Sequence, residues 1–255
     1  MQKESGVRSV LKPIHLKIQG VFFHEIVSNP KLHIFMLKHY HYLDGYAAER
    51  LKKVVKLLHD AELQAKVERH VADEAKHAAY FQQRVEELGG SIALTPDETR
   101  LGFLNRFNSH GLGIRDERLD EEKFLDVREI ITFFVLLKAE EEFGLKFFLG
   151  HLQGSDQDPR TRAMLEEIVE DEKRHVSYIG EVLDKLGQSG YQADIDAEVK
   201  QYGRLFERFR FPLRDLAKAI PALLTMCSFQ PHGLVVRGLW ILVGPIMMRL
   251  ARDRA

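Results

Sequence analysis

One five-residue pattern occurs twice in this chain. Asp73-Glu74-Ala75-Lys76-His77 and Asp171-Glu172-Lys173-Arg174-His175 share the form Asp-Glu-x-basic-His and start 98 residues apart. A Glu and a His three positions apart lie on one face of a helix, one turn from each other. Each Glu also sits in an apolar stripe. Val67, Val71 and Phe81 flank Glu74, and Leu165, Ile168, Val169 and Ile179 flank Glu172. An ionised carboxylate among such residues is costly unless it is paired or bound to a metal. A single copy of the pattern carries little weight. The matched pair predicts two helices whose acidic faces meet in a shared interior.

The rest of the chain supplies helices for that interior. Strand signals are nearly absent, whereas helical periodicity is widespread. A first amphipathic helix runs from Asn29-Pro30 through Leu37, Tyr40, Asp44, Ala48, Leu51, Val55 and Leu58. His59-Asp60 reads as a turn, with Asp60 capping a second helix that carries the first motif and stops at Gly89-Gly90. A polar, Gly- and Pro-containing crossover follows, from Ser91 to about Leu125. A third helix spans about Asp126 to His151. The loop Gly154–Pro159 leads into a fourth, which carries the second motif and ends near Gly187. Two short connections and one long one describe an up-down pair, a crossover and a second up-down pair. The expected fold is all-α: a four-helix bundle over residues 1–190 with an N-terminal extension, then a basic, apolar C-terminal helical subdomain over 191–255.

A two-metal site inside such a bundle needs one more carboxylate from each partner helix. In the first half the candidates are Asp44 and Glu49. Asp44 has Leu37, Tyr40, Ala47, Ala48 and Leu51 on its face, while Glu49 has Lys52, Lys53 and Lys56 around it, as a solvated ion-pairing residue would. Counted from the turn at 59–60, Asp44 is level with Glu74, and Glu49 is about four residues, roughly 6 Å, out of level. In the second half the candidates are Glu140, Glu141 and Glu142. Glu141 shares its face with Phe134, Leu137, Gly144, Leu145 and Phe148, and Gly144 leaves room for a metal and its ligand. The expected ligand set is Asp44, Glu74, His77, Glu141, Glu172 and His175. His70, one turn before Glu74, is read as a histidine hydrogen-bonded within the bundle, with an additional ligand as the rival reading.

This constellation resembles the ferritin-like di-iron carboxylate superfamily, which includes bacterioferritin, rubrerythrin, acyl-carrier-protein desaturases, the ribonucleotide reductase small subunit and tRNA hydroxylases. The resemblance covers about residues 30–187 and is specific for the superfamily, not for a member. It implies that Glu74 and Glu141, or their mates, bridge two iron ions (or an iron–manganese pair), that each His caps one, and that Asp73 and Asp171 hydrogen-bond the His of the opposite half. Asp44 departs from the Glu most members use there, although the reductase small subunit also has Asp.

Carboxylates and imidazoles suit Fe(II) and Mn(II), and two such ions can deliver two electrons to O2 together. The expected function is an O2-dependent monooxygenase or oxidase, served by an electron donor and acting on an apolar or lipid-like small molecule. The competing expectations are a ferroxidase or iron-handling protein, a tRNA-modifying hydroxylase, and a non-enzymatic helical protein that retains the motif. A net charge of −1 predicts no general attraction to nucleic acid, although residues 201–255 carry nine Lys/Arg against three Asp/Glu. The single cysteine, Cys227, cannot form an internal disulfide, which together with the lack of a signal-peptide pattern predicts a cytoplasmic protein. The apolar stretch Gly233–Leu250 has three readings: a helix packed on the bundle or on a homodimer partner, an interfacial helix giving peripheral membrane contact, and a membrane span. Arg237 and Pro245 weigh against the span.

Overall fold

A computed structural model of the 255-residue chain describes residues 20, 23–94, 114 and 116–202. The N-terminal extension up to residue 19, most of the crossover, and the C-terminal region from 203, including Cys227, Trp240 and the apolar 233–250 stretch, lie outside the described residues. Among the described residues the protein is all-helical and has no strand, and no helix there is long and apolar enough to cross a membrane.

Four long helices form the body of the structure: α1 (Pro30–Val55), α2 (Ala61–Glu87), α3 (Val127–Gln153) and α4 (Pro159–Leu186). Each starts where a short polar side chain satisfies free backbone N–H groups of the first turn. Asn29 accepts from the amides of Lys31 and Leu32, Asp60 from Leu63, and Asp158 from Thr161. At α3 the cap is reciprocal. Asp126 accepts from the amides of Arg128 and Glu129, and the Glu129 carboxylate accepts from the Asp126 amide. Pro30 and Pro159 occupy first-turn positions, where a missing N–H costs nothing. Helix α2 ends at Gly89, whose φ of 77° is the left-handed conformation that glycine adopts without strain.

The contacts fix the direction of each helix. Along α2, Lys66 pairs with Glu181, Lys76 with Glu167 and Arg84 with Asp158, so α2 and α4 are antiparallel. Gln64 donates to the carbonyls of Val55 and Leu58, and His41 donates to the carbonyl of Ala78, so α1 and α2 are antiparallel. The Leu125 amide donates to the Leu57 carbonyl at one end, and Tyr40 meets His151 at the other, so α1 is also antiparallel to α3. Helices α2 and α3 therefore point the same way. The connection between them has to return along the length of the molecule before α3 starts. Its described part includes one helical turn, Asp116–Leu119, tied down by Arg118, which binds Glu129 and the carbonyls of Lys123 and Phe124.

Two apolar clusters lie inside the four helices, one at each end. One gathers Leu51, Val54, Leu58, Val67, Phe133, Phe134 and Ile179, and the other Phe23, Leu37, Tyr40, Phe81, Phe148, Leu165 and Ile168. The level between them is polar. After α4 the backbone turns at Gly190, with φ of 99°, and 192–202 is helical again. Ile195 and Tyr202 of that segment are buried in the first cluster, so the start of the region expected after residue 190 contributes to the core.

Candidate metal centre

The polar level is where the two motifs meet. Asp44 from α1, Glu74 and His77 from α2, Glu141 from α3, and Glu172 and His175 from α4 are all buried, with His77 fully so. The antiparallel packing brings the two motifs together, because α2 and α4 cross with Glu74 level with His175. Glu49 and Glu140 are exposed, and Glu49 lies 3.7 Å from Lys52. Glu142 is only partly buried and faces Lys146.

The atoms converge closely. His175 Nδ1 lies 3.3 Å from Glu141 Oε2, 3.5 Å from Glu74 Oε1 and 3.9 Å from Glu172 Oε2. His77 Nδ1 lies 3.6 Å from Glu172 Oε1 and 4.0 Å from both Glu74 Oε1 and Asp44 Oδ2. Glu172 thus turns one oxygen toward each histidine. Glu74 Oε1 also faces both, whereas Glu141 approaches His175 at one end and Asp44 approaches His77 at the other. Glu74 and Glu172 are therefore the two carboxylates that face both histidines.

The far nitrogens of both rings are held from outside. His77 Nε2 lies 3.0 Å from Asp171 Oδ2, and His175 Nε2 lies 3.2 Å from Asp73 Oδ2. Each aspartate precedes the Glu of the opposite motif. A carboxylate only accepts, so each Nε2 carries a proton and each Nδ1 is the nitrogen turned to the interior. The aspartates are anchored in turn. Lys76 Nζ lies 2.5 Å from Asp171, and Arg174 binds both Asp171 and Asp73. This explains the basic residue in each motif. Despite the cost of burial, hydrogen bonds from Lys76, His77 and Arg174 hold Asp171 down to about 2.

The inner groups are poorly served by one another. Asp44 Oδ2 and His77 Nδ1 are buried without any hydrogen-bond partner, and they face each other across 4.0 Å. At that distance neither hydrogen-bonds the other, whereas a cation between them would satisfy both. Burial raises Asp44 and Glu172 well above the carboxylate range, helped by the charges of Glu74 and Glu141 on Asp44 and of Glu141 on Glu172. His175 moves the other way. Burial alone would lower it, but Asp73, Glu141 and Glu172 push it up to about 12. Asp44 and Glu172 are thus short of positive charge, while His70 and His175 hold Glu141 well below its ordinary value, and the donor set suits a divalent metal that takes oxygen and imidazole ligands. Two overlapping groups have the required proximity: Asp44, Glu74 and His77, and His70, Glu74, Glu141 and His175.

His70, read from the sequence as a histidine hydrogen-bonded within the bundle, is so bonded, to Tyr178 and Glu74, and it also lies inside the second group. Its Nε2 is 3.2 Å from Glu74 Oε1 and 3.3 Å from Glu141 Oε1. Its position one turn before Glu74 was the signal for this, but helical phase alone does not say which ring atom points inward.

A second buried polar group sits toward the loop between α3 and α4. Tyr40 Oη is 3.2 Å from His151 Nδ1, and His33 packs edge-on against the His151 ring. His33 is 3.7 Å from Asp158, which Arg84 also binds. Compared with protein families, curated proteins and solved structures, the chain matches none.

Proposed function

We propose that the protein is an O2-dependent oxidoreductase of the ferritin-like di-iron carboxylate type, holding two iron ions, or an iron–manganese pair, between α1–α4. The observation that carries this reading is the pair of unpartnered buried atoms, Asp44 Oδ2 and His77 Nδ1, opposite a second inward-facing histidine nitrogen, with Glu74 and Glu172 between. The helix directions support it as well, since parallel α2 and α3 joined by a long return match the one-crossover bundles in which such centres are built.

Asp44, Glu74, His77, Glu141, Glu172 and His175 would hold the metals. Bound there, two such ions supply two electrons to O2, which neither the carboxylates nor the imidazoles can do. The chain's own part is positional. Asp73 and Asp171 keep Nδ1 of both histidines unprotonated and aimed inward. Glu74 and Glu172 present oxygens to both positions. Phe81, one turn beyond His77, and Phe148, one turn beyond Gly144, are buried beside the polar level and keep water from its flank. That apolar flank favours a small apolar or lipid-like substrate.

The test is anaerobic loading of the chelated protein with Fe(II), followed by mixing with oxygenated buffer. The expected result is rapid O2 uptake, about one O2 per two Fe(II), that Glu74→Ala and Glu172→Ala both abolish. Uptake no faster than that of free Fe(II) would overturn the reading. Light scattering on the same sample separates an oxygenase from a storage protein, because a storage shell would be far larger than a dimer.

A further inference from the structure

We infer that His70 is a metal ligand, so that the two metal positions are unequal: one bears two imidazoles, His70 and His175, and the other only His77. The inference rests on the two-metal reading above and adds to its ligand set.

The His70 side chain is fully buried. One ring face stacks on His175, with centroids 3.6 Å apart and planes 26° from parallel. Its Nδ1 lies 2.8 Å from the Tyr178 hydroxyl, one turn beyond His175 on α4. The ring is therefore held on its face and at its outer nitrogen. Its inner nitrogen points between Glu74 Oε1 and Glu141 Oε1, at 3.2 and 3.3 Å. Those two oxygens and His175 Nδ1 are the atoms that would surround a metal in this half of the centre.

Without a metal, an Nε2–H of His70 donated to the two carboxylates satisfies all three groups. With a metal between those oxygens, the same N–H would point at a cation. With the ring held there by His175 and Tyr178, the proton has to move. Tyr178 makes this workable because its hydroxyl serves either tautomer. It donates to Nδ1 when Nε2 carries the proton, and it accepts from Nδ1–H when Nε2 presents a lone pair. Tyr178 therefore stands to His70 as Asp171 stands to His77 and Asp73 to His175, with one difference: a neutral hydroxyl replaces a carboxylate, so this third imidazole is a less basic ligand.

The other position has less. Asp44 and His77 belong to it alone, and Glu74 and Glu172 are shared. The position with His70, Glu141 and His175 fills first. The position beside Asp44 would have fewer protein ligands, which would leave more room there for O2.

The test uses the full-length chain, freed of metal by chelation and titrated with Co(II). Proton NMR of the loaded wild-type protein reads the ligands directly, because each bound imidazole gives one strongly shifted, solvent-exchangeable ring N–H signal. All three predicted N–H groups are internally hydrogen-bonded, which slows their exchange. Three such signals are expected, with two Co(II) bound in separable steps. Two signals with two Co(II) bound would overturn the role of His70 while leaving the two-metal reading intact. Failure of the wild type to bind Co(II) would overturn both. In His70→Ala, with its fold checked by circular dichroism, the first binding step should weaken by more than the roughly 10–100-fold typical of losing an outer partner. Tyr178→Phe should weaken that step by about 10-fold and remove none of the three shifted signals, except by broadening the His70 one through faster exchange. An unchanged first step in His70→Ala would also overturn the inference.

Discussion

Asp171 reaches His77 from outside the acidic interior, and Asp73 reaches His175 in the same way. Asp171→Asn leaves size and shape intact but lets the ring adopt either tautomer, so metal affinity should fall about 10–100-fold in a competition against a chelator. Unchanged affinity would mean that the aspartate only packs. Proton release gives a second prediction at this scale. In the metal-free protein His175 is raised to about 12, and Asp44 and Glu172 are raised too, so all three hold protons above their ordinary pKa values. A metal has to displace those protons. Binding should therefore release protons at pH 7, and apparent affinity should rise with pH. Weakly buffered titration with an indicator dye reads both. Proton uptake would contradict the account. Residue by residue, much of this level was legible in the sequence. Asp44 and Glu49 differ by which helical face they share, and the structure buries the first and exposes the second. Which carboxylates face both histidines was less legible. Sequence phase places Glu141 and Glu172 on inward faces alike, and only the three-dimensional packing shows that Glu172 spans both histidines.

Helix boundaries were the most legible feature, because local chemistry sets them. Asn29, Asp60, Asp126 and Asp158 satisfy backbone amides within three residues of themselves, so each signal needs no tertiary context. Interactions between elements were harder to read. Residues 23–28 are helical and run against the end of α3, where a methyl group at Gly154 would come within 2.5 Å of the His24 amide nitrogen and 2.6 Å of the Phe23 carbonyl carbon. The close approach is between backbones, and no local pattern announces it. Two glycine-to-alanine changes in and after α3 should therefore have opposite signs. At Gly144 an added methyl meets only Glu172 Oε2 at 3.8 Å and Phe148 at 4.0 Å, ordinary contacts. Gly144→Ala should raise stability by about 0.5–1 kcal/mol, as removal of a helix-interior glycine does. Gly154→Ala should lower it by about 1–3 kcal/mol, because backbone has to move. Urea unfolding of both variants checks the pair, and equal shifts would contradict the packing described.

At the scale of the whole molecule, four helices with α2 and α3 parallel bring one carboxylate or one Asp-Glu-x-x-His motif from each helix to a single level. Apolar clusters close that level above and below. The paired motifs made this arrangement legible, since a repeat of five residues 98 positions apart is hard to bury unless the copies face each other. The region after residue 190 was not legible in the same way. Its apolar residues lack a chemistry that names their partner, and Ile195 and Tyr202 turn out to complete the core. The central claim is that this level holds two metal ions. Anomalous diffraction from crystals of the iron-loaded full-length protein, recorded on both sides of the iron absorption edge, tests it most directly. The account predicts two peaks between Glu74 and Glu172, one within bonding distance of His77 Nδ1 and the other of His175 Nδ1. An interior without peaks, in crystals whose iron lies only at the surface, would contradict it.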